Sequence, residues 1–255
     1  MTNANPLCAL ALGLALLLAS SAHATNTATD PSVVLGSASR LTCAQWLAAR
    51  EKPDNSVTET IDDWVRGYFS GFNMLYHQPK HVFFNDDMPN ISKQAVSYCT
   101  HQPNAYVSAA ALQSYRYFER QHLAALAERN NHHEQKPEPK SCNCWSDKAL
   151  EDGGMILVEN SNRSCMVWHQ RLDMGNTAAQ QHFNEYIFGF FAAYNQFTDK
   201  PAHLFTAADE TNLLSAIKAG CAGQPNVHIA KPMLSFIEQL EIQFVKRPLT
   251  KTKEP

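Results

Sequence analysis

Apolar residues at Ile61, Trp64, Val65, Tyr68, Phe72 and Leu75 recur at three- and four-residue intervals. That spacing puts them on one stripe of a long helix whose remaining face is polar. Thr60-x-x-Asp63 reads as the capping box that opens it. Gly67 and Gly71 lie one turn apart on the same helix. A glycine inside a helix costs about 1 kcal/mol relative to alanine. The pair therefore predicts that another element packs closely against this helix. A short helix over about 42–51 precedes it, with Cys43, Trp46 and Leu47 on one face, and Pro53-Asp54-Asn55 marks the turn between the two. Residues 77–88 read as a loop. A third helix runs over about 90–100, and Pro103-Asn104 resets the chain. A fourth helix extends to about 128, with Val107, Ala110, Ala111, Tyr115, Phe118 and Leu126 among its apolar positions.

The same pattern returns 122 positions later without a gap. Cys43 falls on Cys165, Trp46 on Trp168, Gly67 on Gly189, Phe69 on Phe191 and Asn73 on Asn195. The match continues through Pro79/Pro201, His81/His203, Phe83/Phe205, Asp87/Asp209 and Asn90/Asn212, and closes on Cys99/Cys221 and Gln102-Pro103-Asn104/Gln224-Pro225-Asn226. These are 14 identities over positions 43–104, where chance pairing gives roughly four, so the chain reads as a tandem duplication. The second copy predicts helices at 164–172, about 180–197, 209–220 and about 231–245, with Pro232 tolerated only in the first turn of the last. The expected fold class is all-α, with two tandem four-helix domains. Their bounds are 41–128 and 164–246. Residues 129–163 form a linker and 247–255 a disordered tail.

Residues 7–19 are an apolar run too short to span a bilayer comfortably, followed by Ser-Ser-Ala-His-Ala, which has the form of a signal-peptidase site. Residues 1–24 read as a cleaved secretion signal; the alternative is an N-terminal membrane anchor. Residues 25–40 are small and polar and read as disordered. The linker carries Asn-Asn-His-His and Lys-Pro-Glu-Pro-Lys, an exposed composition, and Met155–Val158 is either a short strand or a docked segment.

Charge and cysteines refine this picture. A formal net charge of −3 over 255 residues lacks the basic surplus that nucleic-acid binding needs. Cys8 leaves with the signal, and six cysteines allow 15 pairings. Cys43 to Cys99 and Cys165 to Cys221 have the same separation, so an oxidising compartment makes one disulfide per copy the natural arrangement. Cys142 and Cys144 remain in Ser-Cys-Asn-Cys-Trp. A tight mutual bridge, an intermolecular bridge and reactive thiols all stay open. The C-x-C spacing departs from redox C-x-x-C, and with His132 and His133 it fits no standard zinc pattern.

Little points to catalysis. Cysteines engaged in disulfides are no nucleophiles, and no G-x-S-x-G, H-E-x-x-H or P-loop pattern occurs. His77-x-x-x-His81 has metal spacing only on a helix, and Pro79 between them argues for a loop. The reading is a protein that is not an enzyme and has no metal or cofactor. Asn73/Asn195, His81/His203, Asp87/Asp209 and Asn104/Asn226 are the polar residues shared by both copies. Each has a structural explanation: a side-chain amide satisfying loop backbone, a helix cap or a half-buried loop histidine. The functional alternative is a partner surface on the 77–88 loop and its counterpart, built from Asn73, His81, Phe83, Asp87, Asn195, His203 and Asp209. Trp46, Trp64, Tyr68, Phe69 and Phe72 read as core.

Cys43-x-x-Trp46, Trp64-x-x-Gly67-Tyr68-x-x-Gly71-x-Asn73, Asp87 and Cys99-x-x-x-Pro103 together resemble two groups of small secreted helical proteins. One is the HdeA/HdeB type of acid-stress periplasmic chaperone. The other is the Rap/Tai type of immunity protein, which blocks cell-wall amidases. The resemblance covers about 41–125 and is eroded in the second copy, where Tyr186, Phe190 and Ala193 replace Trp64, Tyr68 and Gly71. It implies a periplasmic protein that binds proteins, either an effector enzyme or unfolded clients, without nucleic acid and without membrane insertion after signal cleavage. The immunity reading is placed first and the chaperone reading second, with an unrecognised enzyme as a further alternative.

Overall fold

The computed structural model describes residues 35–75, 83, 85–131, 164–198 and 203–245. The signal, Cys142 and Cys144, Met155–Val158, His77, His81 and the tail lie outside the described residues. The described chain is all-α. Its first half holds α1 (Gly36–Ser39), α2 (Cys43–Arg50), α3 (Ser56–Leu75), α4 (Met88–His101) and α5 (Val107–Asn131). Its second half holds α6 (Cys165–Asp173), α7 (Thr177–Phe197), α8 (Glu210–Ala222) and α9 (Ala230–Val245). Short 3₁₀ turns at Asn85–Asp87 and Ala207–Asp209 lead into α4 and α8.

Each half is closed by a disulfide. Cys43 pairs with Cys99 and Cys165 with Cys221, at Cα separations of 4.8 and 5.2 Å. The Gln-Pro-Asn turn that recurs in the sequence has a direct use. The first amides of a helix have no partner within it, and those of Cys43 and Ala44 donate to the carbonyls of Ala105 and Pro103. Cys165 and Met166 donate likewise to Val227 and Pro225. Thr42 adds a capping box with Gln45, and the Ser164 hydroxyl accepts from the Val167 amide.

Two local expectations change. α3 starts at Ser56, a full turn before Thr60, because the Asp54 carboxylate accepts from the Ser56 amide at 2.9 Å. Thr60 lies inside the helix, where its hydroxyl bonds back to the Ser56 carbonyl at 2.7 Å. The segment read as disordered over 25–40 is ordered from Leu35 onward. Leu35 is fully buried, and its carbonyl accepts from the Trp64 indole at 2.8 Å.

The aromatic stripes of α3 and α7 face each other, so the buried apolar residues of both halves form one continuous core. Trp46, Trp64, Tyr68, Phe69 and Phe72 all lie within it.

Candidate functional site

The contact between α3 and α7 is the feature both halves build together. A Cβ on Gly67 would overlap the Tyr186 carbonyl oxygen, and one on Gly189 would overlap the Trp64 carbonyl oxygen. These contacts are reciprocal, since 64 and 186 are equivalent positions, as are 67 and 189. That is the signature of a two-fold contact, here within one chain. One turn later a Cβ on Gly71 would lie 2.6 Å from the Phe190 carbonyl oxygen and 2.8 Å from the Ala193 Cβ. The partner advances along α7 as the glycine advances along α3, so the two helices run parallel. The paired glycines of the sequence thus serve a backbone-to-backbone approach.

Around this line the seam is aromatic. Trp64 stacks on Tyr68 with centroids 5.3 Å apart. Phe197 of α7 meets Tyr68, Phe72 and Tyr115 at 5.6, 4.9 and 4.9 Å. The Tyr68 hydroxyl donates to the Gln196 side-chain oxygen at 2.8 Å. Burial, with a smaller contribution from Tyr115, holds that hydroxyl well above its ordinary pKa, so it remains a donor.

The flanks of the seam are polar. Asp63 and Glu185 occupy equivalent positions, one on each helix, yet they take different partners. The Asp63 carboxylate lies 2.9 Å from His182 Nδ1, with Glu59 at 3.9 Å from Nε2. Glu185 is 2% exposed and accepts from the Ser37 amide and hydroxyl and the Ala38 amide. Beside it, Glu210 accepts from the Gly36 amide at 2.8 Å and pairs with Arg40 at 2.9 Å. Gly36 has φ +82°, and a Cβ there would overlap the Glu185 carboxylate. Burial pushes the Glu185 carboxyl above the usual range. The bonds from Ser37 and Ala38 pull it partly back, and Glu210 adds to the rise.

The α3 side of this seam lies within the span that the family comparison covers. Residues 7–109 match the HdeA/HdeB family. The match takes in α1 to α4, the first disulfide and the first turn of α5, and the second half lies outside it. No curated protein and no solved structure matches the chain. The HdeA/HdeB-type resemblance read from Cys43, Trp46, Gly67, Tyr68 and Cys99 thus holds for the first half. HdeA/HdeB proteins are non-enzymatic periplasmic chaperones. Among the described residues no helix is long and apolar enough to cross a membrane.

The polar residues singled out by the repeat fall elsewhere. Asn73 donates to the Phe83 carbonyl at 2.8 Å and accepts from its amide at 3.0 Å. Asn195 does the same for Phe205 at 2.6 and 2.9 Å. Asn73, Phe83 and Asn195 are buried, so each asparagine pins a loop backbone to a long helix. Asn73→Ala removes both side-chain bonds to the buried Phe83 backbone and is expected to cost about 2–3 kcal/mol. Asn195→Ala is expected to match it, and urea unfolding of both variants checks this. Asp87 and Asp209 immediately precede α4 and α8 without capping them through their side chains. Asp209 instead accepts from the Thr206 amide and hydroxyl at 2.8 and 2.9 Å. His203, partly exposed, lies 3.4 Å from Asp209 and edge-on to Phe205 at 4.9 Å.

Desolvation opposes ionisation of Asp209, but the Thr206 bonds and the His203 charge outweigh it, and its pKa is lowered. A lowered carboxylate stabilises the fold above its unfolded pKa, and the contribution is lost as pH falls through the folded pKa. Asp209→Asn is therefore expected to be less stable than the parent at pH 7 and equal to it near pH 2. Thermal melts at the two pH values test the sign.

Sequence reading did not find Glu185, Glu210, Arg40, His182 or Gln196. One signal was available: positions 63 and 185, equivalent in the repeat, are both acidic beside an apolar stripe.

Proposed function

We propose that this protein is a periplasmic acid-stress chaperone of the HdeA/HdeB kind, and that its client surface is the aromatic seam between α3 and α7. The observation that carries the reading is this apolar face, closed beneath a rim whose contacts run through carboxyl groups. In strong acid the 24 Asp and Glu side chains lose their charge, the 21 Lys and Arg stay positive, and the histidines become positive. Self-repulsion then favours a more open chain, and the rim contacts of Asp63 and Glu59 weaken together. The surface that parts is large, aromatic and without a fixed shape preference, which suits unfolded clients of many sequences.

The test is protection of an acid-labile client by the chain from residue 25 onward. Suppressed aggregation at pH 3 and none at pH 7 supports the proposal, and an apolar fluorescent dye should bind over the same pH interval. Capture of a single stoichiometric partner from periplasmic extract at pH 7, with no client protection in acid, would favour the immunity reading instead.

A further inference from the structure

We propose that acid opens the seam from one side only: the flank closed by His182, Asp63 and Glu59 parts, while the flank bound by Gly36, Ser37 and Ala38 stays shut and serves as the hinge. This deepens the chaperone reading and rests on it.

The argument begins with the two-fold relation. It pairs Gly67 with Tyr186 and Gly189 with Trp64, and so sets Asp63 and Glu185 at equivalent places on opposite flanks of the parallel helices. The partners at the two places differ in kind. Asp63 and Glu59, on α3, face an ionisable partner, His182 of α7. That contact is an attraction between opposite charges, strongest when the histidine is charged and the carboxylates are ionised. In strong acid, where carboxyl groups are neutral, this attraction is lost.

Glu185 faces neutral donors: two backbone amides and one hydroxyl. An amide still donates to a neutral carboxyl, though less strongly than to a carboxylate, and a protonated Glu185 gains an O–H of its own. Moreover, burial already favours the neutral form there. A carboxyl with a raised folded pKa loses a cost, rather than a contribution, as pH falls through that value. The charged groups beside it are Glu210 of α8 and Arg40. Their ion pair also disappears in acid, but it lies partly in solvent, where such pairs contribute little. The Gly36 amide keeps an acceptor in neutral Glu210. The Leu35 carbonyl keeps its bond from the Trp64 indole, which does not titrate. Among the described residues, the bonds that hold Leu35–Ala38 across the two long helices come from neutral donors.

Two double-mutant cycles, measured by urea unfolding at pH 5.5 and pH 2.5, test the asymmetry. His182→Gln with Asp63→Asn should show a coupling of on the order of five-fold in the unfolding constant at pH 5.5 and none at pH 2.5. Ser37→Ala with Glu185→Gln should show its coupling at both. As a check that needs no variant, the Ser37 and Ala38 amides of the unaltered protein should stay protected from hydrogen exchange at pH 2.5. Loss of that protection, or loss of the Ser37/Glu185 coupling in acid, overturns the hinge. So does a His182/Asp63 coupling that survives at pH 2.5. If any of these occurs while the unaltered chain still protects clients at low pH, only the hinge fails. A chain that neither binds the dye nor protects clients at pH 2.5 overturns the chaperone reading together with it.

Discussion

Gly67→Ala is expected to lower stability by about 3 kcal/mol and to bind an apolar dye already at pH 7. Taken alone, the change should help, because alanine is favoured over glycine in a helix interior by about 1 kcal/mol. The seam reverses the sign. The added methyl group would overlap the Tyr186 carbonyl oxygen, with the Tyr186 carbonyl carbon and Cα close behind. These are backbone atoms of a helix, so they cannot rotate away as the end of a side chain can. The two long helices must separate along their length. Overpacking usually costs 1–3 kcal/mol, and a backbone obstacle puts this site at the upper end. For a chain of this size that corresponds to a fall in melting temperature of about 10 °C. Gly189→Ala should behave alike, since it meets the Trp64 carbonyl oxygen reciprocally. Gly223→Ala is the control: nothing lies within 4 Å of a Cβ there, and its melting temperature should stay close to the parent value. Equal melting temperatures for Gly67→Ala and Gly223→Ala would show that the helices do not approach as described.

Removing either disulfide is expected to cost about 4 kcal/mol, with Cys43→Ala/Cys99→Ala and Cys165→Ala/Cys221→Ala similar to each other. Each bridge has a sequence separation of 56, and the cost follows from the entropy that a loop of that size regains in the unfolded chain. The shape of the unfolding curve is the more telling result. Two domains with separate cores would leave the untouched half folded, and denaturation would show two steps. One continuous core across α3 and α7 predicts a single transition that moves to lower urea whichever bridge is removed. Tryptophan fluorescence and far-ultraviolet circular dichroism should report the same midpoint. Two separated transitions in either variant would contradict the shared core.

The parts of this fold that short-range patterns encode were legible in the sequence. Ile61 through Leu75 marked α3 by spacing alone, and Gly67 with Gly71 announced a close neighbour before any neighbour was known. The matching cysteine separations selected the two bridges. What escaped was long-range. The segment from Leu35 to Ser39 is ordered because Leu35 is buried, the Trp64 indole donates to its carbonyl, and Glu185 and Glu210, far along the chain, accept from the amides of Gly36, Ser37 and Ala38. The start of α3 was misplaced because Thr60-x-x-Asp63 imitates a capping box, while the working cap is the less regular Asp54 and Ser56. Asn73 and Asn195 stood out as equivalent polar residues, but only the structure shows them pinning Phe83 and Phe205. The site itself was half visible. Its aromatic floor followed from the helical stripe, whereas the choice of His182 for Asp63 and of Ser37 for Glu185 depends on tertiary proximity that no local pattern carries.

The two faces of the seam belong to one polypeptide, and this sets how the closed state returns. If the halves were separate molecules, their re-association would slow with dilution, and each released face would be exposed to other partners for longer. Here the second face is always present at the effective concentration its covalent connection provides. Closing is therefore a first-order process. Its rate after neutralisation should be the same at nanomolar and at micromolar protein.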